Sequence, residues 1–342
     1  MRCVLRTLIG LAGLAGSLPP ASLVAQATPQ RIRLGTLAPQ GSSYHRILQE
    51  MGEKWRVATN GGVQLVVYAG GTMGNEAELV RRMRLGQLQA ATITVAGLQE
   101  IDQAVTALQE MPMMFRTLEE IEYVRSKLEP TLARLMAEKG FVALFWADAG
   151  WVRYFSRKSG LHPDDFKTMK TFVTAGDTKH FDLLKSAGYA SVALDWSDAL
   201  TALQTGMIDV VPTIPYYALA GQFYTVAGYM LEVNWVPLVG ATIINKRTWD
   251  ALPAATQAQF RDAAREAGMQ FQAAGRKESD EAVAAMQSRG LKVIPVPPAV
   301  AAEWRAAAEG FYPRIRGSMV PADMFDEVSR LLTQYRSSPS PE

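Results

Sequence analysis

Apolar residues recur along the chain at two alternating spacings. Short β-branched runs predict strands, and runs with apolar residues three to four positions apart predict helices. The predicted strands are residues 31–37, 63–68, 91–95, 141–146, 151–156, 169–174, 207–211 and 237–244. Asn75 and Thr117 each stand three residues ahead of a glutamate, a capping-box arrangement that begins a helix. Ser42 or Ser43 caps an earlier helix. The alternation predicts an α/β fold with largely parallel sheets.

One helical period is unusually long. Apolar residues recur every three to four positions through residues 254–289, and Gly290 ends the run. At the rise of an α-helix such a segment is roughly 50 Å long. That length exceeds one small lobe, so we expect the helix to run across two lobes.

The composition is that of an ordinary globular chain. The 342 residues include 48% hydrophobic and 20% charged side chains, which fits one bilobal domain or two. The formal charge of +2 vanishes once Arg2 and Arg6 are removed with the N-terminal segment. No dense basic stripe is present in the sequence, so we expect no nucleic-acid partner.

The N-terminus has the features of a secretory signal. Residues 1–27 combine a basic start, an uncharged apolar run over residues 8–18 and a small-x-small site at residues 25–27. A retained membrane anchor is the alternative, but the run falls short of the ~20 residues that span a bilayer. Cys3 is the only cysteine, so the mature chain would have no disulfide. We expect cleavage and export to the periplasm.

The sequence lacks the common signatures of catalysis. There is no phosphate loop, nucleophile elbow or dinucleotide fingerprint. His162 lies in a His-Pro-Asp-Asp turn without further metal ligands at suitable spacing. The glycine-rich residues 70–74 are either a strand-to-helix turn or a backbone that approaches a small ligand. We expect a binding protein rather than an enzyme, with no cofactor and no metal.

Several segments, in order along the chain, carry a family resemblance. They are Tyr68–Glu76, Arg84–Leu88, Met111–Phe115, Asp164–Lys167, Ser197–Leu200 and Leu203–Asp209. Together they resemble the solute-binding proteins of tripartite ATP-independent periplasmic (TRAP) transporters, the DctP family. The resemblance runs from about Arg31 to the C-terminal helix. It implies a type II periplasmic-binding-protein fold, with two αβ lobes around a ligand cleft and the long helix bridging them.

The resemblance also implies a domain plan and partners. The plan is a signal peptide over residues 1–27, lobe I over 28–150 plus about 238–272, lobe II over 151–237 plus about 273–320, and a C-terminal helix and tail over 321–342. A small-molecule solute would be delivered by cleft closure to TRAP membrane subunits driven by an ion gradient. The need for a periplasmic helical-repeat partner stays open, as does the alternative of a ligand-sensing periplasmic protein that signals to another protein.

The resemblance places two usual polar anchors on other residue types. Family members usually hold organic acids with an arginine whose position here is Phe172, and a frequent asparagine is here Thr213. Phenylalanine cannot donate a hydrogen bond to a carboxylate. Arg153 matches another frequent cleft arginine, although it could pair with Asp148 or Asp177 instead of a solute.

Aromatic residues are frequent near these positions. They are Trp151, Phe155, Trp196, Tyr216, Tyr217 and Trp235. Such side chains fit flat or long apolar ligands, and each could equally be part of the core. Met73 and Glu76 complete the candidate site, with Glu76 either facing the cleft or favouring a helix N-terminus. We therefore expect a relatively apolar or aromatic organic acid, or a lipid-like solute.

Overall fold

The structure is a computed structural model that describes residues 29–337. One mixed sheet runs through this part of the chain. Its strands are β1 Gln30–Thr36, β2 Val63–Tyr68, β3 Ala90–Thr94, β4 Phe141–Ser156, β5 Thr171–Thr174, β6 Ser191–Leu194, β7 Val210–Thr213, β8 Tyr229–Asn245 and β9 Lys292–Ile294. The order is β2-β1-β3-β8-β4-β7-β5-β6, and β9 pairs with β8. The predicted signal segment and Cys3 lie outside the described residues.

Helices cover both faces of the sheet. They are α1 Ser43–Ala58, α2 Glu76–Arg84, α3 Val95–Leu98, α4 Leu118–Glu138, α5 Pro163–Lys167, α6 Thr178–Ser186, α7 Ala199–Thr205, α8 Pro215–Ala220, α9 Lys246–Asp250, α10 Ala254–Gln287, α11 Pro298–Glu309, α12 Tyr312–Ile315 and α13 Ala322–Ser337. Within residues 29–337, no helix is both long enough and apolar enough to cross a membrane.

The predicted helix caps are confirmed. Ser42 accepts a hydrogen bond from the backbone N–H of His45 at 3.2 Å and begins α1. Asn75 accepts from the N–H of Glu78 at 3.0 Å, and Thr117 caps α4 in the same way. Each cap satisfies a backbone donor that the first turn of a helix leaves unpaired. The sequence therefore fixes where these helices begin.

Two long antiparallel strands, β4 and β8, connect the lobes. They pair from Phe141 opposite Asn245 to Ser156 opposite Tyr229. The prediction of two separate strands over 141–146 and 151–156 is wrong. A register shift between residues 148 and 151, with Gly150 at φ +90°, breaks the apolar alternation although the ladder resumes beyond it.

The expectation of largely parallel sheets is confirmed only for the strands on either side of the two long central strands, β4 and β8. Strands β1, β2 and β3 pair in parallel, as do β5, β6 and β7. Where β3 and β7 meet the long strands, the pairing is antiparallel. Strand β8 passes through both lobes, and its direction relative to β3 and β4 depends on how the chain comes back from the second lobe to the first. No local sequence pattern encodes that direction.

The long helix α10 belongs to both lobes, as expected. In its first half, Phe260 stacks on Trp55 of α1 with ring centroids 4.2 Å apart. In its second half, Ala282 and Met286 are buried with Phe155 in the core cluster of the other lobe. The prediction of a helix bridging two αβ lobes is confirmed. The residue boundaries of the lobes stay a prediction.

Candidate ligand-binding site

A cavity lies where β4 and β8 pass from one lobe to the other. It is lined by Thr36, Leu37, Ala38, Tyr44, Glu76, Thr92, Ile93, Thr94, Phe145, Ala147, Asp148, Ala149, Tyr217, Leu238, Val239, Gly240, Ala241 and Phe271. The carboxyl ends of β1 and β3 supply one wall, and α8, beyond β7 in the other lobe, supplies Tyr217. Such strand ends are where open α/β sheets bind ligands.

Helix α8 holds the two lobes together across this cavity. The ring of Tyr216 meets the ring of Tyr44 edge to face, with centroids 5.5 Å apart. Tyr217, the next residue, lines the cavity itself. Helix α8 of one lobe therefore contacts α1 of the other through the rings of Tyr216 and Tyr44.

Glu76 lines the cavity and also fixes a neighbouring helix. One carboxylate oxygen accepts from the N–H of Thr94 at 2.9 Å. The other accepts from the Thr94 hydroxyl at 2.7 Å and from the N–H of Gly97 at 2.9 Å. Burial raises the pKa of the Glu76 carboxyl, and these three hydrogen bonds oppose that rise. Glu76 therefore lines the cavity, lies in the first turn of α2 and stabilises the start of α3, while its contact with a solute stays a prediction.

Asp148 is the second carboxylate of the cavity, and it is already paired. Arg276 of α10 donates from Nε to Oδ1 at 3.3 Å and from Nη2 to Oδ2 at 3.1 Å. Gln272 adds a hydrogen bond to Oδ2 at 3.0 Å. Asp148 is only 5% exposed. The long helix thus neutralises the buried charge beside the bulge of β4.

Arg153 has a partner other than the two considered. Its Nη1 lies 3.2 Å from Oε1 of Glu232, which lies on the adjacent strand β8. Asp148 is held by Arg276, and Asp177 caps α6 by accepting from the N–H of His180. Pairing with Asp148 or Asp177 is therefore wrong. Arg153 does not line the cavity, and its contact with a solute stays a prediction.

Phe172 is joined to the cavity through other rings rather than facing it. Its side chain is 6% exposed, and its ring lies 5.7 Å from that of Trp196. Trp196, 39% exposed, lies 6.3 Å from the ring of Tyr217, which lines the cavity. These three rings form a continuous aromatic row that runs from β5 to the cavity.

The remaining predicted residues lie in the core or at its edge. Trp235 packs against Tyr154 and Trp304, with ring centroids 5.7 Å from each. Trp151 and Met73 are half-buried against the same cluster. Thr213 is buried on β7, opposite Arg153 of β4. Of the nine predicted site residues, Glu76 lines the cavity directly.

Sequence reasoning missed Tyr44, Asp148, Phe145 and Phe271 as cavity residues. Tyr44 and Phe271 pack on each other across α1 and α10, with ring centroids 4.8 Å apart. The cavity residues after β1 and within β3 could have been predicted from the sequence, because they lie at the ends of parallel strands, where open α/β sheets bind ligands. The contribution of α10 depends on its tertiary position and leaves no local signal.

Two lobes on a pair of shared strands, with a cavity between them, form the architecture of a bilobal solute-binding protein. A solved TRAP periplasmic solute-binding protein of Xanthobacter autotrophicus, with bound β-D-galacturonate, has the same fold. Its TM-score is 0.80 at 19% identity, over 88% of this chain and 99% of that one.

The family is settled by sequence. The model of the bacterial extracellular solute-binding proteins, family 7 (DctP), matches residues 34–317. The C4-dicarboxylate-binding periplasmic protein DctP of Rhodobacter capsulatus is 24% identical over 84% of this chain and 86% of its own. A solute-binding protein of Verminephrobacter eiseniae is 26% identical over 78% and 79%. The chain belongs to the DctP family, whose members are periplasmic solute-binding receptors and not enzymes.

Proposed function

We propose that this protein is the receptor of a TRAP-type transporter for a relatively apolar solute, either an aromatic or amphipathic organic acid or a lipid-like molecule. The observation that carries the proposal is the cavity wall. Among its lining residues in the described chain, none is a lysine, arginine or histidine. Phe145, Phe271 and aliphatic side chains supply much of the surface, which suits an apolar solute.

The ligands named for two similar proteins are small acids, and their chemistry can be compared with this cavity. One relative is named for C4-dicarboxylates, and one solved neighbour holds a sugar acid. Small carboxylates of this kind are bound best by bidentate arginine. In this chain Phe172 offers no donor, Arg153 is paired with Glu232, and Arg276 is paired with Asp148. A small acid would therefore have to displace an existing ion pair.

Closure of the two lobes would link the binding of the solute to its delivery to the membrane subunits. Opening the lobes separates the rings of Tyr44 and Tyr216. A solute that contacts Tyr217 on one side and the strand ends on the other favours the closed state. We propose that TRAP membrane subunits recognise that state, after export through a cleaved signal over residues 1–27. A helical-repeat partner remains part of the proposal.

A binding panel tests the proposed solute class. We expect medium-chain fatty acids, aromatic acids and neutral aromatic compounds to raise the melting temperature of the purified protein. Succinate and galacturonate should have little effect, since the cavity lacks a free cationic side chain. Calorimetry then measures Kd for each hit. A panel in which succinate or galacturonate binds most tightly contradicts the proposal.

A further inference from the structure

Tyr44 has a buried hydroxyl with no partner. The side chain lines the cavity and is 3% exposed, and its Oη makes no hydrogen bond within residues 29–337. Most buried polar side-chain atoms in folded proteins do have a hydrogen-bond partner, so an unpaired one calls for a reason. The ring of Tyr44 forms part of the cavity wall, so a ligand acceptor that packs against this ring would give the hydroxyl the partner it lacks.

Tyr217 places a second hydroxyl at the same cavity from the other lobe. Burial raises the pKa of both Tyr44 and Tyr217 above the ordinary range of tyrosine, and nearby Glu76 contributes to the rise for Tyr217. Both phenols therefore keep their protons at neutral pH and act as donors. A polar ligand atom between the lobes would meet a donor on each side.

The acceptors of the cavity are carboxylates. Glu76 and Asp148 both line it, and the one arginine that neutralises Asp148 lies in α10. Glu76 is held by neutral donors and by no cation among the described residues, so an anion beside it would be repelled and would bind less tightly. A neutral ligand with an N–H or O–H group would instead find an acceptor there.

We propose that the cavity selects an uncharged head group that accepts a hydrogen bond from Tyr44 and donates one to a carboxylate, on an apolar body packed against Phe145 and Phe271. A primary amide has this chemistry. The inference rests on the proposed function and chooses, within its apolar solutes, the neutral class over the acids.

Matched amide and acid pairs test the inference by calorimetry. The probes are benzamide with benzoate, phenylacetamide with phenylacetate, and hexanamide with hexanoate. We expect each amide to bind at least tenfold more tightly than its acid. Tyr44→Phe should weaken amide binding about five- to tenfold, the effect of one net hydrogen bond. Because the hydroxyl has no protein partner, Tyr44→Phe should not lower the free energy of unfolding.

Tyr312→Phe is the matched control. The Tyr312 hydroxyl donates to the carbonyl oxygen of Pro112 at 2.8 Å and does not line the cavity. This variant should lose stability and keep wild-type amide affinity, the opposite of Tyr44→Phe. The two variants together separate a binding role of the hydroxyl from a structural one.

Three results would overturn the inference: an acid that binds as tightly as its amide, wild-type amide affinity in Tyr44→Phe, or no binding by any probe. Tight binding of the aromatic or fatty acids alone would leave the receptor proposal intact. Preference for succinate or galacturonate in the wider panel would contradict the proposed function as well.

Discussion

The pairing of Asp148 with Arg276 yields a prediction about the connection between the lobes. Asp148 lies at the bulge of β4, and Arg276 reaches it from α10 with two hydrogen bonds. Arg276→Met keeps most of the apolar stem and removes the charge. The buried carboxylate would then retain only the amide of Gln272 as a side-chain partner.

The magnitude follows from burial. Removing one partner of a fully buried ion pair costs about 3–5 kcal/mol, because the remaining charge is left uncompensated. The Arg276 side chain is 30% exposed, so solvent screens the pair and we reduce the expected loss to about 2 kcal/mol. At about 2.1 cal/mol/K of unfolding entropy per residue, that loss lowers the Tm of a chain of this size by about 3 °C.

The assay is urea and thermal unfolding followed by circular dichroism. Arg265→Met is the matched control, since Arg265 pairs with Asp262 and both side chains are at least 70% exposed. We expect the control to change stability by less than about 0.5 kcal/mol. The reasoning is refuted if Arg276→Met costs no more than Arg265→Met. Asp148→Asn combined with Arg276→Met should recover part of the loss, because no charge is left unpaired.

Three further predictions concern other contacts. Although burial raises the pKa of Glu120, hydrogen bonds with Arg336 and a backbone N–H outweigh it and lower that pKa below 4.5. The stabilisation from this lowered pKa is complete above pH ~4.5 and is lost as the pH falls through the pKa of the folded protein. In urea titrations from pH ~5 to ~3, the free energy of unfolding should therefore fall more steeply for the wild type than for Glu120→Gln. Equal slopes for the two proteins would argue against this role of Glu120. Gly275→Ala places a Cβ 2.8 Å from Cα of Ala149, so it should destabilise by about 1–3 kcal/mol in thermal unfolding rather than stabilise α10. Arg153→Ala should weaken any bound acid sharply and a neutral ligand little in calorimetry, and equal effects on both count against its anchoring role.

Much of the fold could be predicted from local pattern. Cap residues such as Asn75 and the strand at 63–68 depend on chemistry within a few positions, and the structure confirms them. The continuity of β4 could not be predicted, because the bulge near Gly150 removes the alternation that marks a strand. The partner of Arg153 depends on the register of β4 and β8, which lie far apart in sequence.

The site was harder to predict for a physical reason. Trp235 and Tyr217 are both aromatic residues with an apolar residue after them, yet Trp235 lies in the core and Tyr217 lines the cavity. Apolar side chains serve both purposes, so composition alone does not separate them. Glu76 could be found because it ends the segment Tyr68–Glu76, one of the segments that carry the family resemblance. Tyr44 had no local signal, since its position depends on α10 and α8.

Native mass spectrometry of the protein as purified tests the central claim most directly. We predict one retained small molecule whose release and identification show a largely apolar compound. The cavity-filling variant Ala241→Leu should lose it, because a larger side chain occupies the same wall. A retained dicarboxylate or sugar acid, or a molecule that the filled variant still holds, would contradict the account.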